Sequence, residues 1–178
     1  MDSLNACIQE YTIQLRKGQI QTAYKGIMTF MSELKTDLGN KYADYTPSSL
    51  YFGYMDMTYF GFTPPMLRAK KLKIAIVFLH ETCKFELWLA ANNRKIQAEY
   101  HELLGQKELR SYGLSTTQPG VGAIIAATII EHPDFNDLTE LKRQIETSVI
   151  RFIEDMNEIL EHSACHDICE SETGFGRD

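Results

Sequence analysis

Asp56 stands in a run of rings and thioethers, Tyr54-Met55-Asp56-Met57-Thr58-Tyr59-Phe60. A carboxylate among such neighbours is costly to bury unless it is paired or hydrogen-bonded. Three environments suit it: an open surface, a bond to a tyrosine hydroxyl or a base, or a ligand or catalytic site. Glu86 and Trp88 are two residues apart, the spacing that puts side chains on one face of a strand. Together with Asp56, Glu86 would make a carboxylate pair suited to acid–base work or metal binding. That is a hydrolase-type constellation, with His80 near enough in sequence to join it. The plainer alternative is a solvent-facing Glu on an alternating strand.

Restriction-type nucleases also place an Asp and then Glu-x-Lys on adjacent strands. Here Glu86 is followed by Leu87-Trp88, so the lysine is missing unless Lys73 or Lys84 substitutes. Asn92-Asn93-Arg94-Lys95 follows the Trp88 segment, where a strand passes into a helix. A helix N-terminus with free amides suits an anion, and asparagine there also serves as an ordinary cap. His162, Cys165, His166 and Cys169 are legitimate zinc ligand types spaced along one side of a helix, but they fall in a polar tail. There is no Gly-x-Ser-x-Gly, phosphate loop, dinucleotide glycine fingerprint or His-Glu-x-x-His, so no cofactor is expected. Nothing in the sequence marks Cys83, in the hairpin, as a reactive thiol.

The elements that must position these groups follow from periodicity. Leu4, Ile8, Tyr11 and Leu15 form a helical stripe ending at Gly18, and Ile20 to Leu38 forms a second. Period two then takes over. Tyr51–Thr63 is expected as one long aromatic strand, Leu72–Leu79 as a second and Lys84–Ala91 as a third, with His80–Cys83 as the hairpin between the last two. A helix capped by Asn92 or Asn93 should run to about Leu104. Ala123–Glu131 is read as a strand against a weaker helical alternative. Asp137 with Glu140 is a capping-box pattern that opens a long final helix, expected to run to about His162. The expected fold is α+β: a small, mainly antiparallel sheet of three to four strands against long amphipathic helices, in the order α-α-β-β-β-α-β-α. One domain is expected over residues 1–163, with a polar tail at 164–178.

Composition narrows the function classes. A chain of 178 residues with 44% hydrophobic and 24% charged residues suits one globular core. A net charge of −6 argues against nucleic acid as the main partner, because binding phosphates takes clustered positive charge. The charge is uneven, however. Residues 64–113 hold nine Lys or Arg against five Glu, a local +4, which reads as a solvated surface or a basic face. The longest apolar run, Ile74–Leu79, is too short to span a bilayer, and no export signal is seen at the N-terminus. Four cysteines without disulfide-framework spacing then point to free thiols in the cytoplasm.

The stretches Tyr51–Phe60, Lys71–Phe78 and Phe85–Leu89, with their flanking helices, resemble a family of small bacterial cytoplasmic proteins sharing a domain of unknown function. The resemblance covers about residues 3–160 and leaves the Cys/His tail outside. It implies no activity and no site. The residues themselves favour a module that binds a small ligand or a protein through an aromatic sheet surface. Its expected site is Tyr54, Asp56, Tyr59, His80, Glu86, Trp88, Asn92 and Arg94; the alternative is a hydrolase acting through Asp56 and Glu86.

Overall fold

The computed structural model describes residues 3–115 and 122–161. Two helices open the chain, α1 (Leu4–Arg16) and α2 (Gln19–Lys41). Ser3 caps α1 by accepting the Ala6 N–H, and Gly18, at φ +77°, takes the left-handed turn between them. Phe30, Met31, Leu34 and Leu38 of α2 are buried, whereas α1 buries no residue and leaves Leu4, Ile8, Tyr11 and Ile13 exposed.

The sheet has five strands in sequence order, β1 (Thr46–Pro47), β2 (Met57–Thr63), β3 (Leu72–Leu79), β4 (Lys84–Ala91) and β5 (Ala123–Ile130). All pairings are antiparallel. A short helix, α3 (Pro65–Ala69), bridges β2 and β3, and α4 (Arg94–Gly105) bridges β4 and β5. The final helix, α5 (Leu138–Glu161), starts with Asp137 accepting the Glu140 N–H.

The α+β class and the antiparallel sheet are as expected, and β3 and β4 have the expected ends. Two points differ. The sheet has five strands, not three to four, because Thr46–Pro47 pairs with Phe62–Thr63 inside a segment expected as loop. The long strand expected from Tyr51 begins only at Met57. Gly53 and Met55 have φ of +67° and +64°, which no strand accommodates. Residues 52–56 turn the chain, and Tyr51 returns opposite Tyr59 as an isolated bridge.

Alternation divides the sheet into two faces. Phe60, Ile74, Ile76, Phe78, Phe85, Leu87 and Leu89 are buried and join the apolar stripes of α2 and α5 in one core. Rings bind that layer together: Phe85 lies 5.0 Å from Phe78, 5.8 Å from Phe30 and 6.3 Å from Phe135. Near the end of α5, Arg110 pairs with Asp155 and Glu158, and the Tyr112 hydroxyl donates to Asp155 at 2.7 Å. Burial and that carboxylate push Tyr112 up to about 12. This network pins the segment after α4, so that Ser115 N–H can donate to the Ile124 carbonyl at the edge of β5.

Candidate functional site

The second face of the sheet is built from the alternate residues. Register aligns Gly61, Ala75, Trp88 and Ala126 in one row across β2 to β5, and Tyr59, Val77, Glu86 and Thr128 in the next. Lys73 lies opposite Ala90. Small side chains at Ala75 and Ala90 leave a depression between the Tyr59 and Trp88 rings. The result is a cleft of about 450 Å³, within the range of small-molecule sites. Its aromatic wall includes Tyr51, whose ring lies 4.8 Å from that of Tyr59. The backbone sets that pair: Tyr51 N–H donates to the Tyr59 carbonyl at 2.8 Å, and Tyr59 N–H returns the bond at 3.1 Å. A second depression of about 550 Å³ shares Tyr51, Tyr59, Lys73 and Ala75, and adds hydroxyls from Thr46, Ser48, Ser49 and Thr63.

Of the expected site residues, Asp56, Tyr59, Trp88 and Arg94 line the cleft; Tyr54, His80, Glu86 and Asn92 do not. Each of these last four has a different place. Tyr54 is 92% exposed at the tip of the 52–56 turn. Glu86 lies beside the cleft and supports it: Trp88 Nε1–H donates to Glu86 Oε2 at 2.7 Å, and Thr128 Oγ1 donates to Glu86 Oε1 at 3.3 Å. A charge-assisted bond of this kind fixes the indole plane. Asn92 N–H donates to the Lys71 carbonyl, tying the start of α4 to the start of β3.

His80 lies toward the helices. Its ring stacks on Tyr24 of α2 at 5.8 Å and meets the edge of Phe78 at 5.1 Å. Its Nε2 is 2.9 Å from Thr58 Oγ1, and that hydroxyl donates to the Phe52 carbonyl at 3.0 Å. With the hydroxyl proton so used, Nε2 is the protonated nitrogen and donates to Thr58. Burial lowers the imidazole pKa, partly opposed by the charge of Asp56. His80 N–H also donates to the Asp56 carbonyl at 3.0 Å.

Asp56 organises the turn that carries Tyr51. Its Oδ1 accepts Tyr54 N–H at 2.9 Å. The backbone amides of Met57 and Tyr54 hold its carboxyl below the ordinary 3.8. Gly53 makes this possible: a Cβ there would stand 2.0 Å from the Met57 carbonyl oxygen and 2.6 Å from Asp56 Oδ1. Asp56 and Glu86 therefore each have standing partners, one in the turn and one in the sheet.

The opposite end of the cleft is cationic. Lys73 arrives from β3 and Arg94 from the first turn of α4, which Asn93 caps by accepting the Ile96 N–H at 3.0 Å. Among the described residues, neither cation has an ion-pair or side-chain hydrogen-bond partner. The cations of α5 behave differently: Lys142, Arg143 and Arg151 all meet carboxylates.

Lys73, Ala75, Ala90 and Gln97 are among the lining residues that the expected site omitted. The signal for three of them was present. Lys73 interrupts an apolar strand, and Ala75 and Ala90 are small residues on the same face as Trp88 once the hairpin register is known. Among the described residues, no three His, Cys, Asp or Glu side chains gather as metal ligands. His162, Cys165, His166 and Cys169 lie outside the described residues. No helix among those residues is long and apolar enough to cross a membrane.

Fold and cleft together define an α+β protein with one sheet face packed on helices and the other hollowed between aromatic side chains. The chain belongs to the family Domain of unknown function (DUF7000), whose model matches residues 4–160. No curated protein and no solved structure matches it.

Proposed function

We propose that this protein is a binding module that holds a small molecule on the aromatic face of its sheet, in the cleft between Tyr51, Tyr59 and Trp88. One observation carries this: three rings from different segments enclose a cleft of about 450 Å³ above a floor of small side chains. A mainly apolar hollow with a few directed polar groups is the usual form of a small-molecule site. The carboxylates support binding over a hydrolytic pair. Glu86 is bonded to the indole and to Thr128, and Asp56 to backbone amides. Free thiols at Cys7 and Cys83 support a cytoplasmic location for this module.

Trp88 is the only tryptophan, so its emission reports on the cleft. Titration with a panel of small aromatic compounds should give a saturable change, lost in Tyr59→Ala while the circular dichroism spectrum stays native. A panel without any saturable change, or a change that survives in Tyr59→Ala, would reject the cleft as the binding site.

A further inference from the structure

We infer that the ligand is a planar aromatic anion, its ring on Tyr51, Tyr59 and Trp88 and its negative group between Lys73 and Arg94, an assignment that rests on the cleft reading above. The charge pattern points there. The chain as a whole is acidic, at −6, yet two cations from separate elements border one hollow without a partner among the described residues. An acidic protein has ample carboxylate to neutralise such a pair, as it does along α5.

The two ends of the cleft also differ in sign. Asp56 borders it with an ionised carboxylate held by the Tyr54 and Met57 amides. An anion is repelled from that end and attracted to the Lys73–Arg94 end, so charge fixes the direction in which the ligand lies. The positive end of the 12-residue helix α4 adds to the same potential. Its Ile96 amide is already taken by Asn93, and the two side chains supply the full positive charges at this end. Arginine offers a planar fork and lysine a mobile point charge, a pair suited to a carboxylate, sulfonate or phosphate. Beside Tyr59 and Lys73, the hydroxyl-lined second depression gives room for a polar linker between ring and anion, as the sugar of a nucleoside monophosphate would supply.

Calorimetry on the full chain with matched probes tests the charge separately from the ring. The pairs are 2-naphthoate against 2-naphthamide, and adenosine 5′-monophosphate against adenosine. Within the naphthyl pair the anion should bind about tenfold more tightly at low salt, and the advantage should shrink toward unity at high salt, as screening requires. Lys73→Met and Arg94→Met should each weaken 2-naphthoate several-fold and leave 2-naphthamide unchanged. A preference for the monophosphate over adenosine would identify phosphate as the anionic group; its absence beside a strong naphthoate preference would identify a carboxylate or sulfonate. Equal binding of 2-naphthoate and 2-naphthamide, or variants that change neither, would overturn the anion assignment and leave the cleft reading standing. If none of the four compounds binds, both fall.

Discussion

Phe85 and Trp88 sit three residues apart on β4 and face opposite ways. Phe85 is fully buried, ringed by Phe30, Phe78 and Phe135. Trp88 is only half-buried, set in its row between Ala75 and Ala126 and tethered by its N–H to Glu86. One aromatic side chain is surrounded by others of its size, and the second by alanines and a carboxylate. The contrast shows how a single strand can serve two purposes. Large residues filling every position make a core, whereas small residues beside a large one make a hollow, and alternation keeps the two apart.

The sharpest way to break this contrast is to truncate both rings. Phe85→Ala should cost about 3–5 kcal/mol, the usual loss for a buried phenylalanine, and Trp88→Ala about 1–2 kcal/mol. Urea unfolding monitored by circular dichroism measures both. Equal losses would mean that the indole is core and the cleft an accident of packing.

Gly53→Ala tests whether the cleft wall depends on the 52–56 turn. Positive φ and a Cβ driven against the Met57 carbonyl should cost about 1–3 kcal/mol and displace Tyr51. A variant as stable as the parent would show that the turn can relax without loss. Glu86→Gln weakens the tether on the indole and should cost about 1 kcal/mol, with a change in Trp88 emission. Unchanged emission would show that the indole is held by packing alone.

The smallest effect expected is the pH dependence from His80. Its imidazole titrates below the ordinary 6.5 in the folded chain. Above 6.5 both folded and unfolded forms are neutral and the contribution is complete. As pH falls, the unfolded chain takes up its proton first, so stability is lost from 6.5 down through the folded pKa. Asp56, also lowered, loses its contribution only in the acid range beneath its ordinary 3.8, so the two windows separate. Unfolding at pH 7.5 and 5.5 should show a slope that flattens in His80→Gln. The same slope in both proteins would remove His80 as its source.

Legibility from sequence followed the same division. The helix-facing side of the molecule was readable because burial imposes periodicity: Leu72–Leu79, Lys84–Ala91 and the α5 stripe announce themselves through repeated apolar spacing. Residues 51–56 read as strand in the sequence because Tyr51, Phe52 and Tyr54 favour strands. Gly53 and Asp56, which together make the turn, are turn-formers that those rings obscure. Asp56 consequently left the strand, and Tyr51 reached the face of Tyr59 across a turn instead of along a chain. His80 lies in a connection, where no alternation says which face it joins. Lys73 became meaningful only through the register that places it near Trp88, a property of pairing that no single segment contains.

The reciprocal backbone bonds between Tyr51 and Tyr59 have a consequence for kinetics and heat. Side chains that must be immobilised on association each subtract about 0.5–1.5 kcal/mol from affinity, and here the spacing of two rings is set when the chain folds. A guest would therefore meet a wall already set at Tyr51 and Tyr59. Association should be quick and simple in its time course, with selectivity exercised through shape rather than through closure.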